Sequence, residues 1–122
     1  MTKRVLITGG GSGIGRTMAE TFAAQGAKVL VTDIDEDALR ACPDTWLKLT
    51  GDASDPYHMR SVFARIESEW GGIVVVCANA GIAGPTALVE DVEIEDFRRC
   101  VAVNLEGAFL VSKHAAPMMK AQ

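Results

Sequence analysis

Residues 5–15 read Val-Leu-Ile-Thr-Gly-Gly-Gly-Ser-Gly-Ile-Gly. A short apolar run ends in a glycine cluster. Ile14, Met18 and Phe22 then follow four apart, the spacing of a helix face. Buried strand, glycine turn, helix is the context in which a glycine cluster carries information. Glycine admits φ > 0 and puts no Cβ between the backbone and a bound group. The free N–H groups and the dipole at the start of the helix favour an anion, above all a phosphate.

The bulk numbers narrow the setting. The chain has 122 residues, 48% hydrophobic and 23% charged, with net charge −4. That suits one soluble domain with one core. An acidic balance argues against nucleic acid as the partner. No apolar run approaches the ~18 residues of a membrane helix, and Met1-Thr2-Lys3-Arg4 leads straight into a strand, so no signal peptide is expected. Cys42, Cys77 and Cys100 are odd in number and lack CxxC spacing, so reduced thiols and a cytoplasmic setting are expected. His58 and His114 share no ligand spacing with other residues. They read as structural histidines, and no metal is expected.

Strand-like and helix-like segments alternate, which predicts βαβ units and a parallel sheet. Strands are expected at about 4–8, 28–32, 46–49 and 73–77. Helix one spans 13–25, with Gly26 as its stop. A short helix follows Asp35 as N-cap and ends at Cys42-Pro43. Asp55-Pro56 is an N-cap with proline at N1. Met59, Val62, Phe63, Ile66 and Trp70 form the inner face of the helix it opens, which Gly71-Gly72 stops. A long helix covers 93–120, bent near 104–107. The fold class is α/β, a doubly wound parallel sheet of order 3-2-1-4 with helices on both faces. The crevice between the carboxyl ends of strands one and four is then the ligand site.

The glycines do not have the i, i+2, i+5 spacing of the common dinucleotide fingerprint. They fit Thr8-Gly9-x-x-x-Gly13-x-Gly15, which resembles the TGxxxGxG cofactor turn of the classical short-chain dehydrogenase/reductase family. Three further segments resemble that family in the same order: Asp52-Ala53 after strand three, Asn79-Ala80-Gly81 after strand four, and Val103-Asn104-Leu105 in the last helix. The resemblance implies a Rossmann fold binding a nicotinamide dinucleotide through Thr8, Gly9, Gly11, Ser12, Gly13, Ile14, Gly15, Asp33, Ile34, Asp52, Ala53, Asn79, Ala80 and Gly81. Asp33, at the end of strand two, suits both hydroxyls of an adenosine ribose and repels a 2′-phosphate. Ser12 and Ile34 stand where members that bind NADP tend to carry a basic residue. NAD is therefore expected over NADP. Asp52 resembles the family's contact to the adenine amino group. The residues alone fit a turn aspartate bonded to its own backbone equally well. Asn104 resembles the family's helix-bracing asparagine, which holds a water in the proton relay to the catalytic lysine.

The chain departs from the pattern at Ala78, where the family has a first Asn, and at Val74, where many members have Asp. The family's acid/base tyrosine lies in a Tyr-x-x-x-Lys motif. Tyr57 is the one tyrosine, and the fourth residue after it is Ser61. The expectation is a single NAD-binding domain over 1–122, truncated before a fifth strand and the catalytic Ser, Tyr and Lys. Such a chain would be inactive and aggregation-prone alone. It would serve an enzyme that moves hydride between nicotinamide and an alcohol or carbonyl substrate, homo-oligomeric when intact. The competing readings are a non-catalytic dinucleotide-binding module complete at this length, and a methyltransferase-like domain, which the turn spacing and Asn79-Ala80-Gly81 disfavour.

Overall fold

The computed structural model describes residues 2–122. Its elements in order are β1 (Arg4–Thr8), α1 (Gly13–Ala24), β2 (Lys28–Asp33), α2 (Glu36–Arg40), β3 (Leu47–Thr50), α3 (Pro56–Trp70), β4 (Val75–Cys77), a 3₁₀ turn (Val89–Asp91), α4 (Ile94–Val101), a π-helical segment (Ala102–Glu106) and α5 (Gly107–Lys120). The four strands form one parallel sheet of order β3-β2-β1-β4. This is the doubly wound arrangement expected.

The period-two geometry of a strand sorts the core onto two faces. Leu6 and Leu30 point to one side, where Met59, Val62, Phe63 and Ile66 of α3 and Val111 and Ala115 of α5 meet them. Val5, Ile7, Val29 and Val31 point to the other, against Ala19, Leu39, Cys42 and Trp46. Because both faces are covered, β1 and β2 carry continuous apolar runs rather than alternating ones.

Local signals placed most boundaries. The Asp35 carboxylate accepts from Ala38 N at 3.1 Å and caps α2. Asp55 accepts from Tyr57 N at 2.9 Å and caps α3, with Pro56 opening the helix. Gly71 ends α3 in the left-handed conformation.

Three details differ from the sequence reading. The inner face of α1 is Gly15 and Ala19, with Met18 and Phe22 only partly buried; Ile14 stands out in solvent. Strand β4 begins at Val75 rather than Ile73. Ile73 is fully buried, but its N–H donates to the Gln122 side chain at 2.8 Å instead of joining the ladder. The interruption expected near 104–107 is a π-helical segment over 102–106. Such segments mark places where something competes for the helical ladder; here the Asn104 amide grips the loop after β4.

Candidate cofactor-binding site

The turn after β1 is held from two sides. Thr8 is buried at the end of β1, and its Oγ1 accepts from Asn79 N and Ala80 N, both at 3.0 Å. The Asn79 amide returns the contact, with Nδ2 donating to the carbonyls of Thr8 and Gly9, each at 3.2 Å. The ends of β1 and β4 are thus stapled together through one hydroxyl and one amide. Close approach makes two glycines obligatory here. Gly9 has φ +65°, and a Cβ on it would lie 2.9 Å from Ala80 Cα. A Cβ on Gly15 would collide with the Gly9 carbonyl and the Asn79 amide.

On the other side the turn is tied to β2. Gly11 N donates to Asp33 Oδ2 at 3.0 Å, and Asp35 N donates to Oδ1 at 3.0 Å. A carboxylate offers about four acceptor positions. These two bonds orient Asp33 and leave two positions for a ligand's hydroxyls.

The start of α1 is open. Ser12 occupies the N-cap without a side-chain capping bond, and no acidic residue lies in the first turn. Helices α2 and α3 are both capped by aspartates. The first N–H groups of α1 remain available to an anion.

These features converge on one cleft of about 360 Å³ at the carboxyl ends of the strands. Of the residues expected to bind a cofactor, Gly9, Ser12, Ile14, Gly15, Asp33, Ile34, Asp52, Ala53, Asn79, Ala80 and Gly81 line it. Thr8 and Gly11 act from behind, through the bonds just described. Gly13 supplies a left-handed turn, φ +56°. Asn104 is not part of the lining. Its Oδ1 accepts from Ile82 N at 2.8 Å and its Nδ2 donates to Ile82 O at 2.9 Å, so the side chain clamps the loop after β4.

Asp52 lines the cleft and makes the turn of a backbone-bonded aspartate: Oδ1 accepts from Ser54 N at 2.9 Å and Ser54 Oγ at 2.7 Å. Oδ2 is paired with Arg99 of α4 at 2.7 Å. Burial alone would raise the Asp52 carboxyl, but the bonds from Arg99 and Ser54 outweigh it and hold the group below its ordinary value. Arg99, Ile82 and Val103 also line the cleft and were missed. No local signal marks Arg99, whose partner Asp52 is 47 residues away.

His58 sits half-buried beneath the β2 and β3 ends. Its Nε2 lies 2.6 Å from Thr32 Oγ1, and its ring packs on the Gly51 backbone. Burial lowers its pKa, with Asp55 and Asp52 pulling weakly the other way. The shift favours the neutral ring at pH 7. All three cysteines are free thiols. No helix among the described residues is long and apolar enough to cross a membrane.

The family profile described as short chain dehydrogenase matches residues 3–122. The chain belongs to the short-chain dehydrogenase family. Among its relatives is the mitochondrial borneol dehydrogenase of Lavandula x intermedia, 39% identical over 96% of this chain and 46% of the relative. Another is the cis-4-hydroxycyclohexanecarboxylate dehydrogenase of Sinomonas cyclohexanicum, 34% identical over 95% of this chain and 49% of the relative. A 3-ketoacyl-(acyl-carrier-protein) reductase from Brucella melitensis, solved with NADH, superposes with TM-score 0.92 at 35% identity, covering 98% of this chain and 51% of that one. The chain therefore spans about half the length of these short-chain dehydrogenases.

Proposed function

We propose that this chain is the cofactor-binding half of an NAD-dependent oxidoreductase that moves hydride between nicotinamide and a small alcohol or carbonyl substrate. One observation carries the reading. The uncapped start of α1, the glycine turn and a carboxylate with two free acceptor positions all face a single cleft. Those are the donors a pyrophosphate needs and the acceptors a ribose needs, at the two ends of one turn. The NADH bound in the Brucella reductase agrees with this.

In this reading the N–H groups from Ser12 to Gly15 hold the pyrophosphate, and Gly9 and Gly15 let it approach. Asp33 accepts from both ribose hydroxyls, and its charge repels the 2′-phosphate of NADP. Ile34, Asp52 and Ala53 would hold the adenine end of the cofactor, and Ala80 and Gly81 its nicotinamide-side ribose. The bound nicotinamide supplies or accepts the hydride. Asn104 acts as a positioning residue through its clamp on Ile82, and the family's relay water belongs beside it. The proton donor for the substrate oxygen is expected outside these residues, because Tyr57 is exposed in the first turn of α3. The exposed Phe97, Leu105 and Phe109 of the last helices suit burial in a homo-oligomer, and the three free thiols suit a cytoplasmic setting.

The test is turnover by the intact protein, with secondary alcohols and NAD in one direction and ketones and NADH in the other. Reduction or oxidation of the nicotinamide is expected. An intact protein that binds NADH and turns over no alcohol or carbonyl would instead favour a non-catalytic dinucleotide-binding module.

A further inference from the structure

Arg99 is the cation that reaches this cleft from α4, and it arrives already engaged. Its Nη1 donates to Asp52 Oδ2 at 2.7 Å and to Ser54 Oγ at 3.3 Å. The Ser54 hydroxyl donates in turn to Asp52 Oδ1 at 2.7 Å, and Ser54 N donates to the same oxygen. Three of the four acceptor positions on Asp52 are then filled, and the remaining one is on Oδ2, the oxygen Arg99 holds. Neither side chain is deeply buried, at 42% and 28% exposure, so the pair is accessible to a ligand in the cleft. The fixed carboxylate can only accept. It complements an exocyclic amino group and repels a carbonyl oxygen.

We propose that Arg99 is a specificity-determining residue. By pinning Asp52 as an acceptor through Nη1, it makes the cleft select a 6-aminopurine over a 6-oxopurine dinucleotide. The inference rests on the reading that the adenine of the cofactor lies at Asp52. Arg99 acts through Asp52 and is a positioning residue in that sense.

The experiment compares binding of NADH and of reduced nicotinamide hypoxanthine dinucleotide to the intact protein by nicotinamide fluorescence. The native protein is expected to prefer NADH by about tenfold or more, the order set by one mismatched polar contact in a built site. Arg99→Met should bring that ratio to within about twofold of unity, while Arg99→Lys, which keeps a cation beside Asp52, should retain a preference of roughly several-fold. Asp52→Asn should also abolish the preference, and adding Arg99→Met to it should change the ratio by less than about twofold. An unchanged ratio in Arg99→Met, or equal weakening of both ligands, would overturn the proposal and leave Arg99 a structural brace. So would an equal effect of Arg99→Met in the Asp52→Asn background. If Arg99→Met does not fold, Arg99→Lys and Asp52→Asn still decide it: a native ratio in Asp52→Asn contradicts it. A native protein that binds NADH without preference refutes this inference alone; one that binds neither dinucleotide refutes the cofactor reading with it.

Discussion

The two edges of the sheet are built differently. On the outer edge, β3 carries Lys48 in its middle, with Nζ donating to the Cys42 carbonyl at 2.9 Å and lying 3.7 Å from Asp44. A charged side chain on an edge discourages another strand from pairing there. At the opposite edge, β4 is Val75-Val76-Cys77, all half-buried, preceded by Val74 at 40% exposure, and no charge interrupts it. The first edge is a finished boundary. The second carries no such charge and is open to pairing with another strand. The candidate cleft lies beside β4, between it and β1, so it adjoins the edge of the sheet that carries no charge.

The largest expected effect tests that contrast directly. The 122-residue chain alone should associate in size exclusion, and Val74→Lys should shift most of it to monomer. Lys48→Val should make association worse. A stable monomer of the native chain, or equal effects of charge at both edges, would remove the distinction.

The next two predictions compare the stapled turn with the clamp across the loop after β4. Gly15→Val forces a side chain into the Gly9 carbonyl and the Asn79 amide, and should cost about 3 kcal/mol in chemical denaturation of the intact protein. Asn79→Ala removes two bonds from part-buried carbonyls and should cost about 1–3 kcal/mol, whereas Asn104→Ala, whose bonds are exposed, should cost about 1 kcal/mol or less. An Asn104 loss larger than the Asn79 loss would place the rigid centre of the site on the wrong side of the crevice.

A smaller effect comes from pH. His58 takes a proton less readily when folded than its ordinary value of 6.5. As pH falls through and below 6.5 the unfolded chain binds more protons, so stability declines over that window. His58→Gln should flatten the decline. Asp52 is depressed below 3.8, so its contribution is present above that value and lost only as pH falls further. A decline confined to pH below about 4 would leave His58 with no part in it.

Most of the fold was legible because its signals are local. Asp35, Asp55-Pro56 and Gly71 each act within one turn of the chain, and the glycine turn follows directly from its strand. The apolar runs of β1 and β2 were enough to predict a sheet covered on both faces. What escaped depends on distant partners. Nothing near Ile73 shows that its N–H will meet Gln122, 49 residues away. Nothing near Arg99 shows that α4 will cross over the end of β3 and deliver a cation to Asp52. The expected binding residues at 9–15, 33–34, 52–53 and 79–81 lie at strand ends, which a parallel sheet brings to one edge whatever the loops do. The lining contributed by α4 had no such guarantee. Asn104 was identified from its segment, but its partner Ile82 was set by the loop.

The claim that this cleft is an NAD site is tested most directly by titrating the intact protein with NADH and with NADPH, following nicotinamide fluorescence, in native and Asp33→Ala forms. Tighter NADH binding by the native protein is expected. Asp33→Ala should lose about 1–3 kcal/mol of NADH affinity and most of the preference, since it removes the ribose acceptor and the tie to Gly11 together. Equal or tighter NADPH binding by the native protein would contradict the account.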